Sequence, residues 1–288
     1  VRIDLHTHST ASDGTGSPAQ VVREAAEAGL DVVALTDHDS TRGWEEAAAA
    51  ALEHRVDLVR GMEISCTYWG TSIHLLSYLH DPTFAPLLDE LEHARESRGS
   101  RARRIVERIA ADVPLGWDDV QAQVESGATV GRPHIADALV ARGVVADRRE
   151  AFDRFLHNGS PYYASHYAIE VVDAVELVLA AGGVPVFAHP FAQSRGRIVD
   201  ESVIAMMADA GLVGIEAHHP DHTPAQTRRA LDAARTFGLV VTGSSDYHGD
   251  GKPNRLGECT TSVESLEAIL DAASGVPLVA GEADAATP

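Results

Sequence analysis

Lysine is almost missing from this 288-residue chain: Lys252 is the only one, and the other 22 of the 23 basic residues are arginine. Set against 43 acidic residues, that leaves a formal charge of −20 and a pI near 5.0. So acidic a surface disfavours sequence-specific binding of duplex DNA, which rests on basic surface. A small anionic partner held by a local cluster of arginines stays open. Cysteine is scarce as well. Cys66 and Cys259 can build neither a disulfide framework nor a thiolate zinc site. No run approaches the ~20 apolar residues that span a bilayer, and no basic segment followed by an apolar one opens the sequence. The expectation is a cytoplasmic protein with no membrane partner. A hydrophobic fraction of 44% and a mean hydropathy of −0.09 exclude wholesale disorder. The length suits one large domain, or one domain with an inserted lobe.

What is plentiful is histidine, with 15 residues, and the pattern of the chain shows where they fall. Short apolar runs read as strands at 1–6, 31–36, 57–67, 71–79, 184–188, 212–217 and 239–243. Helical periodicity fills the intervals, as over 17–28, where Ser17, Pro18 and Gln20 make a capping-box start and Gly29 a stop. From about 84 to 168 the pattern is helical throughout, including an arginine-rich first helix (Arg95, Arg98, Arg101, Arg103, Arg104, Arg108). That stripe reads either as a solvated, ion-paired face or as a guide rail for a polyanion. Alternating strands and helices imply a parallel sheet. Residues 1–80 and 169–280 would form it, 81–168 a helical lobe inserted after strand four, and 281–288 a frayed tail.

Metal-ligand residue types recur near the strand ends: His6, His8 and Asp13; Asp37, His38 and Asp39; Glu63; His74; His189; Glu216 with His218 and His219; Asp246 and His248. In an extended chain residues i and i+2 point the same way, so His6 and His8, or Asp246 and His248, present two donors to one side. Active sites of parallel α/β folds gather at the carboxyl ends of strands. Taken singly, each residue has a structural alternative. His189 before a proline suits a core histidine, and Asp37 and Asp39 suit helix caps. Their recurrence after successive strands points instead to a shared metal site. Six histidines with three carboxylates exceed the needs of one ion, and suit two or three divalent ions such as Mn²⁺, Fe²⁺ or Zn²⁺.

The segments DLHTHST (4–10), LTDHDS (35–40), GMEIS (61–65), IHLLSY (73–78), AHP (188–190) and SSDYH (244–248) resemble, in order, the PHP (polymerase and histidinol phosphatase) family. The likeness is greatest to stand-alone phosphoesterases with a helical insertion, among them nucleotide bisphosphatases and a short-RNA 5′–3′ exonuclease. It implies a distorted (β/α)7 barrel. It implies that His6, His8 and Asp246 hold one metal, that Glu63 bridges to a second held by His74 and His189, and that Asp13, His38 and His248 hold a third. Many relatives carry histidine at the position of Asp13. The reaction implied is phosphoester hydrolysis by a metal-activated bridging hydroxide, with Glu63, Asp246 and His248 as catalytic residues. Arg132, His134 and Arg197 are the implied contacts to a nucleotide or a short RNA end.

Other readings are a histidinol-phosphate phosphatase, a non-catalytic PHP interaction module, or an amidohydrolase. The amidohydrolases that bridge their metals with a carboxylated lysine are excluded, because Lys252 lies beyond the last motif.

Overall fold

The computed structural model describes residues 1–281; of the expected tail, 282–288 lie outside the described residues. The elements run in the order β1 (Ile3–Asp4), α1 (Pro18–Glu27), β2 (Val32–Leu35), α2 (Trp44–His54), β3 (Asp57–Tyr68), β4 (Thr71–Tyr78), α3 (Ala85–Ile109), α4 (Trp117–Gln121), α5 (Arg132–Ala141) and α6 (Arg148–Ala151), which continues as a π turn over Phe152–Leu156. Then follow β5 (Ile169–Glu170), α7 (Val171–Ala180), β6 (Val184–Phe187), α8 (Glu201–Asp209), β7 (Gly214–His218), α9 (Pro224–Phe237), β8 (Val240–Gly243) and α10 (Val263–Ala272).

Seven strands form one sheet in the order β1-β2-β3-β4-β6-β7-β8. Beyond the two ends of that order, Thr7 and Tyr247 form a parallel bridge, with the His8 N–H donating to Tyr247 O at 2.8 Å. The sheet therefore curls into a nearly closed, distorted (β/α)7 barrel. Two features differ from the expected parallel sheet. β4 runs antiparallel to both β3 and β6. The reason is local: Trp69 and Gly70, both at positive φ (46° and 74°), make a two-residue turn that only an antiparallel hairpin can use. His74 thus reaches the site from the first half of its strand. The eighth strand, β5, is two residues that pair with Cys66 and Thr67 where the chain returns from the lobe.

Apolar residues of the strands and the surrounding helices bury the barrel; Ile3, Leu5, Leu75, Leu76 and Val186 are among those fully inaccessible. The lobe helices have an apolar cluster of their own around Ile105, Ile109, Ile135, Leu139 and Phe155. Ser17 does cap α1, accepting from the Gln20 N–H at 3.2 Å, but the Gln20 side chain donates to Glu24 instead of closing the box.

Candidate metal centre

Thr7 fixes the first pair of ligands. Its hydroxyl donates to Ala34 O (2.7 Å) and its N–H to Thr36 Oγ1 (3.2 Å), pinning the chain to β2. His6 and His8, on either side, then face the same way, with Nε2 atoms 3.0 Å apart. Glu63 stands on β3 between two groups of histidines. Its Oε2 lies 3.3, 3.1 and 3.3 Å from His6, His8 and His38; its Oε1 lies 2.7 Å from His74 and 3.0 Å from His189. Asp246 Oδ1 is 3.4 Å from both His6 and His8 and 3.5 Å from His248. Asp13 Oδ1 is 3.3 Å from His248 and 3.5 Å from His8, and its Oδ2 is 3.8 Å from His38. All nine ligand residues named from the sequence thus face one another. Eight are buried, and His74 is partly open. His189 and Asp246 hold positive φ (28° and 52°), a costly backbone for residues with side chains, at the ends of β6 and β8.

The arrangement fits divalent metal ions. Nε2 of His6 and Nε2 of His8 lie 3.0 Å apart, and each lies 3.1–3.4 Å from Glu63 Oε2 and Asp246 Oδ1. Donors bonded to one ion at about 2.1 Å are about 3.0 Å apart at right angles and about 3.4 Å apart at tetrahedral angles. Asp246 Oδ1, His38 Nδ1 and His74 Nδ1 are buried without a hydrogen-bond partner; His74 Nδ1, though near Glu63, is misaligned for one. Such atoms are costly unless something else satisfies them. The carboxylates also draw protons onto His6 and His8. Burial by itself would lower His8, yet the Asp246 and Glu63 carboxylates beside it push it up to about 9. An ion would replace such a proton.

A second layer holds the ligands. Glu216, read from the sequence only as a strand-end carboxylate, accepts from His6 Nδ1 (3.1 Å), the His189 N–H (2.8 Å) and the Ser244 hydroxyl. Asp37 and Asp39 do not cap α2, whose N-cap is Gly43. Asp37 instead ties down the His8–Asp13 loop through Ser9 and Ser12, and Asp39 accepts from the Ser65 N–H.

The centre opens into a cavity of about 700 Å³, lined by Arg98, Arg101 and Arg132 on the lobe side and by Arg195, Arg197 and Lys252 on the barrel side. Of the three substrate contacts named from the sequence, Arg132 and Arg197 line the cavity. His134 does not: it is buried, and its Nδ1 accepts from the Gly131 N–H at the start of α5. Two cations other than the named contacts reach the centre. Arg195 bonds Asp221 (2.7 Å), His189 (3.1 Å) and Asp246, and Lys252 bonds Asp246 Oδ2 at 2.7 Å. Their positions after the AHP and SSDYH segments were the available signal. His219 is buried with Nε2 3.6 Å from Asp246, whereas His218 is exposed.

The arginine stripe of α3 is divided: Arg103, Arg104 and Arg108 are exposed and Arg95 pairs with Glu92, as a solvated, ion-paired face would have it, while several of the guanidiniums are also tied to the protein. Arg95 and Arg98 reach Asp39, while Arg101, Arg104 and Arg108 bond carbonyls of residues 163–165.

Residues 4–110 match the PHP domain. A 3′,5′-nucleoside bisphosphate phosphatase from Chromobacterium violaceum is 35% identical over 254 residues, 88% of this chain and 89% of that one. The chain belongs to the PHP family. A 5′-3′ exoribonuclease from Haemophilus influenzae is 33% identical over 249 residues, covering 86% of this chain and 90% of its own. Among solved structures, a protein from Bifidobacterium adolescentis described as a metal-dependent phosphoesterase superposes with a TM-score of 0.92 at 40% identity, covering 94% of this chain and 96% of its own. The PHP barrel and the divalent-metal chemistry expected from the motifs agree with these likenesses.

Proposed function

We propose that this protein is a metal-dependent phosphoesterase that hydrolyses phosphate esters of nucleotides or short oligonucleotides. The observation that carries the reading is Glu63, whose two oxygens face two histidine groups at the floor of a cation-lined cavity in a chain of net charge −20. Similarity to a nucleoside bisphosphate phosphatase and an exoribonuclease supports the substrate class. His6, His8 and Asp246 would hold one ion, Glu63, His74 and His189 a second, and Asp13, His38 and His248 a third. Mn²⁺ suits this mixture of imidazole and carboxylate, which has no thiolate. Such ions, when bound, polarise phosphoryl oxygens and acidify water.

The chain's own groups do the rest. Arg195, Arg197 and Lys252 present positive charge where a phosphate enters; Arg195 is engaged with Asp221, His189 and Asp246, so Arg197 offers the fork that matches a phosphate. Asp246 directs Oδ1 at the histidines, while Arg195 and Lys252 hold Oδ2, so it stays ionised with Oδ1 free to hold an ion. The hydrogen bonds of the second layer preorganise these groups. Both cysteines are free, which supports a cytoplasmic setting. No described helix is long and apolar enough to cross a membrane.

Phosphate release by the Mn²⁺-loaded protein tests this. Nucleoside 3′,5′-bisphosphates or 5′-phosphorylated short RNAs should turn over in preference to histidinol phosphate. Turnover of histidinol phosphate alone, or of none with metal bound, would overturn it.

A further inference from the structure

The tip of the β3–β4 hairpin carries a residue that its own geometry does not favour. Trp69 and Gly70 both hold positive φ, as the two central residues of a type I′ turn do, and Asn-Gly is the pair that suits such a turn. For a bulky side chain this backbone is strained. Burial offsets none of that strain. Trp69 is 85% exposed, the most open of the large apolar side chains among the described residues. The other two tryptophans serve the fold. Trp44 is buried and donates from Nε1 to Gly61 O at 2.8 Å, and Trp117 is half-buried with the Arg103 guanidinium 4.2 Å from its ring. The exposed tyrosines are also engaged: Tyr163 stacks on Arg101 and Tyr167 on His93. Among the described residues, no ring or cation stacks on Trp69.

The hairpin leads from the metal centre to this ring. Directly opposed residues of an antiparallel pair share a face, so Ser65 with His74 and Thr67 with Ser72 lie on the face that Glu63 presents to the centre. His74, Ser65 and Ser72 line the cavity. Trp69 stands five residues beyond His74, about 17 Å along an extended strand. A substrate longer than one nucleotide, with its reacting phosphate at the centre, can run past Ser72 to the tip. The surroundings of Trp69 select what it can hold. Glu170 pairs with Thr67 across β5, so the neighbourhood repels phosphate but not an uncharged base. Tyr68 packs inward on the apolar cluster, and Thr67, Gly70 and Ser72 are small or polar. Trp69 therefore offers a single ring and not the contiguous apolar patch of a protein interface.

We infer that Trp69 is a stacking platform for a nucleobase of an oligonucleotide substrate, a base that lies beyond the nucleotide reacting at the centre. Every base has a π face, so the platform favours longer substrates without favouring a sequence. The platform rests on the phosphoester reading above and deepens it: within that class the protein prefers short oligonucleotides to mononucleotides. The unfavourable turn residue is then a stability cost accepted for binding.

Two experiments test it, the first without turnover. Tryptophan fluorescence of the Mn²⁺-loaded protein is followed while a 5′-phosphorylated RNA tetranucleotide with phosphorothioate linkages, which resists hydrolysis, is added. A stacked base should quench the exposed Trp69, a nucleoside monophosphorothioate should quench it far less, and Trp69→Asn should abolish the difference. No quench in wild type, or an undiminished one in Trp69→Asn, overturns the platform. In the second, kcat/KM is compared for an unmodified tetranucleotide and a nucleoside 3′,5′-bisphosphate. The ratio of the two should fall at least about fivefold in Trp69→Asn, the size expected for one lost stacked base, and recover in part in Trp69→Phe. The same Trp69→Asn protein should melt about 1–4 °C higher, because asparagine suits the turn. Equal loss on both substrates with a lower melting temperature would make Trp69 a structural part of the hairpin and refute the proposal. If wild type hydrolyses neither substrate, the phosphoesterase reading fails, and the quench alone decides the platform.

Discussion

Arg98→Ala probes the joint between lobe and barrel. The Arg98 side chain is 13% exposed, and Asp39, its partner at 2.5 Å, is fully buried. The same nitrogen also bonds Ser65 Oγ at 2.7 Å. With Arg98 gone, the Asp39 carboxylate keeps only the Ser65 N–H, at 2.7 Å, as a donor. Breaking a buried pair from one side costs about 3–5 kcal/mol, because the remaining charge is left dehydrated. Arg98 borders the cavity, so water can reach the vacated space. We therefore expect the low end, about 3 kcal/mol. For a chain of this size that is a fall in Tm of about 6–12 °C. Urea unfolding at pH 7.5 with a parallel melt measures it. Asp39→Asn in the Arg98→Ala background removes the stranded charge and should restore at least about 1 kcal/mol. A loss below about 1 kcal/mol in Arg98→Ala, or no recovery in the double variant, would show that the pair behaves as a solvated surface bridge and refute the reasoning.

Two other outcomes follow from the same structure. Glu216→Gln removes the charge that orients His6 through Nδ1, so metal affinity by chelator competition should fall about 10- to 100-fold with the far-UV spectrum unchanged; a change under twofold would assign Glu216 to packing alone. His80 is buried beside Trp44 and Ser77, and burial lowers it to about 4 despite opposing contributions from Ser77 and Asp81. The unfolded chain protonates near 6.5 and the folded one near 4. His80 therefore costs nothing above pH 6.5, and stability drains away as pH falls from 6.5 to about 4, by up to about 3 kcal/mol. His80→Gln should flatten that slope in urea titrations across the window, and an unchanged slope would place the acid sensitivity elsewhere.

The cluster of candidate ligand residues was legible in the sequence because several of them follow local rules. His6 and His8 share a face by extended-chain geometry, and Glu63, His189 and Asp246 fall on or just after apolar runs that can only be strands. Helix starts were legible too, as Ser17 and Pro18 show, since a cap is set by residues within one turn. The direction of β4 was legible too but went unread: the runs at 57–67 and 71–79 are only three residues apart, and so short a connection joins only antiparallel strands. The roles of Arg195, Lys252, Glu216 and Arg98 were hidden. Arg195 meets Asp246 across 51 positions, and Arg98 meets Asp39 across 59. Long arginine and lysine side chains take their partners from whatever the fold brings near, so nothing in their sequence neighbourhood names those partners. The sequence by itself determined the barrel and the class of chemistry, through the ordered motifs and the family they resemble. Only the tertiary structure decided which cations face the centre and which are consumed in holding the lobe, because that depends on distances between segments remote in the chain.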